Sequence, residues 1–72
     1  MSTLDTALLA AHESGDLSAL VGLYEMAATE ANAADASGFY LTHAYVFALE
    51  LGDARADDLR RRLAAMGRET LE

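Results

Sequence analysis

The chain predicts an all-α protein built as two antiparallel helical hairpins, and three observations predict it. There is no proline and no alternating apolar–polar stretch in the 72 positions, so nothing breaks a helix and nothing builds a half-buried strand. Apolar residues recur instead at three- and four-residue spacing, as one face of a helix requires. Two Gly-Asp pairs, Gly15-Asp16 and Gly52-Asp53, stand 37 positions apart in matching contexts, each after a Leu/Ala-rich segment carrying Glu13 or Glu50. A glycine just past one helix, followed by an aspartate that caps the next, is the chemistry of a helix–turn–helix joint.

Each element follows from its local pattern. Ser2-Thr-Leu-Asp5 resembles a capping box, and Leu4, Ala7, Leu8 and Ala11 carry helix one over about 3–14. Asp16 starts helix two, whose stripe Leu17, Leu20, Val21, Tyr24, Ala27, Ala28 and Ala31 runs to about 33. The lone Gly22 inside it costs about 1 kcal/mol relative to alanine and is expected to permit a close helix crossing. Residues 34–38 read as the linker, so hairpin one spans about 3–33 and hairpin two about 37–67 of a single domain covering 1–72. Helix three, about 37–51, is apolar nearly all round and should be either the most buried element or the most adhesive one. Asp53 opens helix four, where Ala56, Leu59, Leu63 and Met66 form a narrow stripe ending at Gly67. The shared interior is expected to hold Leu4, Leu8, Leu20, Tyr24, Leu41, Ala44, Tyr45, Ala48, Leu59 and Leu63.

Composition narrows the function. The chain has no cysteine, which removes disulfides and thiolate metal sites and fits a reducing, cytoplasmic setting. No apolar run approaches the roughly 20 residues that a membrane helix needs. The first 53 residues carry eight acids and no Lys or Arg, whereas all five arginines follow Gly52, set against Asp57, Asp58, Glu69 and Glu72. An acidic chain repels phosphate, so neither nucleic acid nor an anionic membrane is an expected partner. The arginine-rich fourth helix is suited to an acidic neighbour, in the same chain or another.

Catalytic and metal chemistry find no pattern to stand on. His12 and His43 lie in no metal-ligand spacing, and the ring of His43 is expected to bond a helix carbonyl. The serines fall at caps and turns, and there is no glycine-rich phosphate loop. The expectation is a protein that is not an enzyme and needs no cofactor or metal. Arg60, Arg61 and Arg62 fan around their helix and face Asp57 and Asp58 one turn away, so they read as a salt-bridged face.

Sliding the chain over itself by 37 gives nine identities in 35 positions, clustered around the joints. There, Ala10-Ala-His-Glu-Ser-Gly-Asp-Leu-Ser-Ala19 and Ala48-Leu-Glu-Leu-Gly-Asp-Ala-Arg-Ala56 resemble the Ala-Ala-x-x-Gly-Asp-x-x-Ala core of Sel1-like repeats, relatives of tetratricopeptide repeats. The resemblance covers about half of the chain and weakens in the second helices, where Leu23 runs directly into Tyr24 and helix four has no tyrosine. It implies an adaptor that binds a protein or peptide along the first helix of each hairpin. Carried over by aligning Gly15 with Gly52, the groove positions are Ser2, Asp5, Leu9, His12 and Glu13, with Phe39, Thr42, Val46, Leu49 and Glu50. Leu9 and Val46 also lie off the stripes that should pack inward, so an apolar strip edged by acids would suit a basic, amphipathic segment. Packing of Leu9, Val46 and Leu49 inside the chain is the competing expectation. The alternative function is a self-associating homodimer, which completes a core too small alone.

Overall fold

A computed structural model describes residues 3–67. They form four helices and, among the described residues, no strand: α1 (Thr3–Ser14), α2 (Leu17–Glu30), α3 (Ala34–Leu51) and α4 (Arg55–Ala65). Each helix packs on its neighbours in sequence, α1 on α2, α2 on α3 and α3 on α4, with α2 against α3 the most extensive contact. The body measures 32 × 29 × 14 Å, and the thin dimension fits two helix layers at the usual interaxial spacing of about 10 Å.

The joints follow the expected chemistry. Gly15 and Gly52 take left-handed φ of 69° and 71°, a conformation glycine adopts without a Cβ penalty. The amide of Gly15 donates to His12 O and that of Asp16 to Ala11 O, at 3.2 and 3.0 Å. The second joint repeats this 37 residues on, Gly52 to Leu49 O and Asp53 to Ala48 O, at 3.1 and 2.9 Å. Asp16 then caps α2, its Oδ1 accepting the Ala19 amide at 3.1 Å. Asp53, expected to cap helix four in the same way, does not: no side chain caps α4. Ala54 is already helical, at φ −61° and ψ −22°, and Asp53 Oδ1 accepts the Arg55 amide at 2.8 Å. Arg55 folds its guanidinium onto the same carboxylate, with Nη2 2.7 Å from Oδ2.

Two expectations about elements need correction. Residues 34–38, read as the linker, are the first turn and more of α3, and the connection is Ala31–Ala33. Gly and Ser in that stretch argued for a loop, but Gly38 is buried on α3. Gly22 does not mark a close crossing, because a Cβ built there would meet only Arg55 Nη1, at 3.8 Å.

The core lies where α3 is held between α2 and α4. Val21 and Ala28 of α2, Leu41, Ala44, Tyr45 and Ala48 of α3, and Leu59 and Leu63 of α4 form one buried cluster. Leu20 is also buried, but Leu4 and Leu8, expected in the interior, are only half-buried, and Ala11 is the one buried residue of α1. Tyr24 is likewise half-buried. The second helices do not use equivalent faces. The positions 37 residues after buried Leu20 and Val21 are exposed Asp57 and Asp58, whereas buried Leu59 and Leu63 correspond to Gly22 and Met26. The sequence repeat is therefore expressed in the joints and first helices, and α4 is turned about its axis relative to α2.

Candidate interaction site

The residues carried over as a groove lie on α1 and α3, and their exposure differs from that of the core. Leu9 is 53% exposed, Phe39 57%, Val46 44% and Leu49 52%, so none of these side chains is enclosed by its own chain. Asp5, His12, Glu13 and Glu50 are exposed as well. Thr42 is half-buried and its hydroxyl donates to Gly38 O at 2.9 Å, so that group is engaged by its own helix. Ser2 lies outside the described residues. Among the described residues, α1 and α3 nowhere bring their Cα atoms within 8 Å, which leaves a gap between them with α2 as its floor.

One part of that gap is filled by rings. His12 of α1 places Nε2 2.9 Å from the Tyr24 hydroxyl of α2. Its ring meets Tyr24 and Phe47 edge-on, at centroid distances of 5.9 and 6.0 Å. Tyr24 stacks on His43 at 5.1 Å and on Phe47 at 5.9 Å, and Phe39 covers His43 at 4.4 Å. His43 Nδ1 lies 3.0 Å from Phe39 O, the helix-carbonyl bond expected of it. Burial, with a smaller contribution from the neighbouring Tyr40 hydroxyl, raises the pKa of the Tyr24 phenol, so it stays a neutral hydrogen-bonding group. Sequence reasoning placed Tyr24 in the core and missed its link to His12. The available signal was an aromatic–histidine pair one hairpin turn apart, which periodicity does not register.

The other part of the gap is open. A cleft of about 200 Å³ is lined by Leu4, Asp5 and Leu8 of α1, by Ala27, Glu30 and Ala31 at the end of α2, and by Tyr40 of α3. Leu4 and Leu8 are half-buried because they form its wall. Of the expected groove residues the structure brings Asp5 to this cleft and His12 and Phe39 to the ring cluster, and it leaves Leu9, Val46 and Leu49 on the outer surface.

A wider groove of about 490 Å³ lies between α2 and α4, lined by Gly22, Glu25, Met26, Thr29, Glu30 and Arg62. It is crossed by the Arg62–Glu25 ion pair at 3.3 Å. The arginine-rich helix thus docks on an acidic neighbour within its own chain. Arg60 and Arg61 reach Asp57 of their own helix at 3.0 and 2.7 Å, and Arg55 reaches Asp53 and Ser18.

Among the described residues no group of three or more His, Asp or Glu side chains is placed to hold a metal ion, and no helix is long and apolar enough to cross a membrane. Compared with known proteins, the chain matches no family model, no curated protein and no solved structure at a significant level.

Proposed function

We propose that this protein is a non-enzymatic helical interaction module, Sel1-like or tetratricopeptide-like in kind, that holds a protein or peptide along α1 and α3. The observation that carries this reading is the exposure of Leu9, Phe39, Val46 and Leu49 on two helices flanking an open cleft. Large apolar side chains left exposed on a small domain lower its solubility unless a partner covers them. The surroundings indicate the partner's charge. Every charged Asp, Glu, Lys or Arg side chain on α1 to α3 is acidic, so a basic amphipathic segment gains apolar contact and charge complementarity together. The reading keeps the protein in a reducing cytoplasm, where the absence of cysteine is ordinary.

The same strip supports a second reading, a homodimer through this face. Two copies apposed there would bring Asp5, Glu13 and Glu50 against their own equivalents, and like charges across an interface oppose pairing. That places the basic partner first and the homodimer second.

The test is titration of an amide-capped amphipathic helical peptide of Leu, Ala and Lys, alongside sedimentation of the protein alone. Substituting Glu at both Val46 and Leu49 should leave helicity and melting temperature intact while binding is lost. A large fall in melting temperature would instead make these residues part of the core and end the assignment. A protein that sediments as a dimer, with salt strengthening the association by screening the acids, would favour the second reading.

A further inference from the structure

We infer that the open cleft between α1 and α3 is a slot for an alkylammonium group, occupied by a lysine side chain of the partner segment; this rests on the interaction-module reading and names its anchor. Its apolar lining comes from Leu4 and Leu8 of α1, Ala27 and Ala31 of α2 and Tyr40 of α3. Among the described residues its charged lining groups are two carboxylates, Asp5 and Glu30. A purely aliphatic side chain would set apolar atoms against the Glu30 carboxylate, and a carboxylate would be repelled. A flexible hydrocarbon stem ending in a cation matches both parts, because lysine lays its methylenes on apolar surface and keeps its charge at the polar end.

A second, independent feature adds negative potential to the same place. Ala27, Glu30 and Ala31 are the last turn and cap of α2, where a helix presents unpaired carbonyl groups and the negative end of its dipole. Natural helices favour Lys, Arg or His in this turn. Here it contains no basic residue and ends on Glu30. That choice is unfavourable for the helix by itself and becomes favourable when an external cation sits over the terminus. Tyr40 also lines the cleft, and an ammonium beside an aromatic ring can be stabilised by the ring quadrupole. No Lys or Arg of residues 1–53 is available to fill the slot, since there is none.

The slot can be read without any peptide by titrating n-pentylammonium chloride into the folded protein and following backbone amide NMR shifts, with n-pentanol and pentanoate as controls. The expected result is saturable shifts at Leu4, Leu8, Ala31 and Tyr40, with n-pentanol at least tenfold weaker and pentanoate without effect. Glu30→Gln, at an exposed helix end, should keep the helical circular dichroism and reduce the preference for the cation over the alcohol at least threefold. Equal binding of alcohol and ammonium, shifts outside the cleft, or no saturation overturns the slot. Each of those results leaves the interaction-module reading standing or falling on the peptide titration at Val46 and Leu49, so the two failures are told apart.

Discussion

Arg62 Nη1 lies 3.3 Å from Glu25 Oε2, and the two residues are 37 positions apart. The same interval separates Arg55 and Ser18, whose Nη2 and Oγ are 3.2 Å apart. Two bridges of equal span, seven residues apart on both helices, mean that α2 and α4 run parallel and in register. The interval that aligns the Gly-Asp joints in sequence therefore also aligns the second helices in space, although they turn different faces to α3. Both bridges are solvent-accessible, and such pairs contribute about 0–1 kcal/mol. A double-mutant cycle on Glu25→Gln and Arg62→Gln should return a coupling below about 1 kcal/mol that fades in high salt. A coupling several times larger would show that the bridge holds the layers together.

The core makes the sharpest demand. Leu59 is fully buried and Leu20 and Leu63 are 2% and 4% exposed, so leucine-to-alanine changes there should each cost about 2–5 kcal/mol. A domain of this size has little more to lose, and chemical denaturation should find these variants largely unfolded. Leu4→Ala and Leu8→Ala, on a cleft wall, should cost distinctly less. Equal losses at all five positions would place α1 in the core after all.

Gly22→Ala should stabilise. The added methyl meets only the Arg55 guanidinium at 3.8 Å, an ordinary contact, while alanine removes the entropic cost of glycine inside a helix. The expected gain is about 0.4–1 kcal/mol by thermal or urea unfolding. Gly15→Ala and Gly52→Ala should do the opposite by about 1–2 kcal/mol, because their φ of 69° and 71° crowds a Cβ.

Asp53 should make stability sensitive to acid. Asp53 is held down to about 2, first by side-chain hydrogen bonds from Arg55 and then by the Arg55 amide. A carboxylate depressed below its unfolded value, about 3.9, adds stability above that value and loses it as pH falls towards the folded one. Stability should therefore decline between about pH 4 and 2 partly through this group, and Asp53→Asn should flatten that limb. Asp16→Ala tests the cap of α2 and should cost about 0.5–2 kcal/mol at neutral pH. An acid limb unchanged in Asp53→Asn would mean that the fork with Arg55 does not persist in solution.

Tyr24 gives a readout of the ring cluster. Its phenol pKa is raised by burial, so its contribution is complete below the ordinary tyrosine value of about 10 and is lost as pH rises beyond it. Tyrosinate absorbance should show the Tyr24 phenol titrating late. Tyr24→Phe should remove that late step and, with the bond to His12, about 0.5–1.5 kcal/mol.

What the sequence determined by itself is local. The all-α class, the four helices, the left-handed glycines and the cap at Asp16 all depend on neighbours within a few residues, and periodicity and turn chemistry record those directly. Most of the core was legible for the same reason, since Leu41, Ala44, Tyr45 and Ala48 share one helical face. Tertiary structure decided everything that depends on which face meets which helix. It drew residues 34–38 into α3, where Gly38 is buried despite its weak helix propensity. It turned α4 so that Leu59 and Leu63, and not the equivalents of Leu20 and Val21, became core. It left Leu4 and Leu8 on a cleft wall, because α1 meets only α2 closely and cannot close over α3. It joined His12 to Tyr24 across a hairpin and set Asp5 beside the end of α2, partnerships between residues 12 or more positions apart that no local pattern encodes.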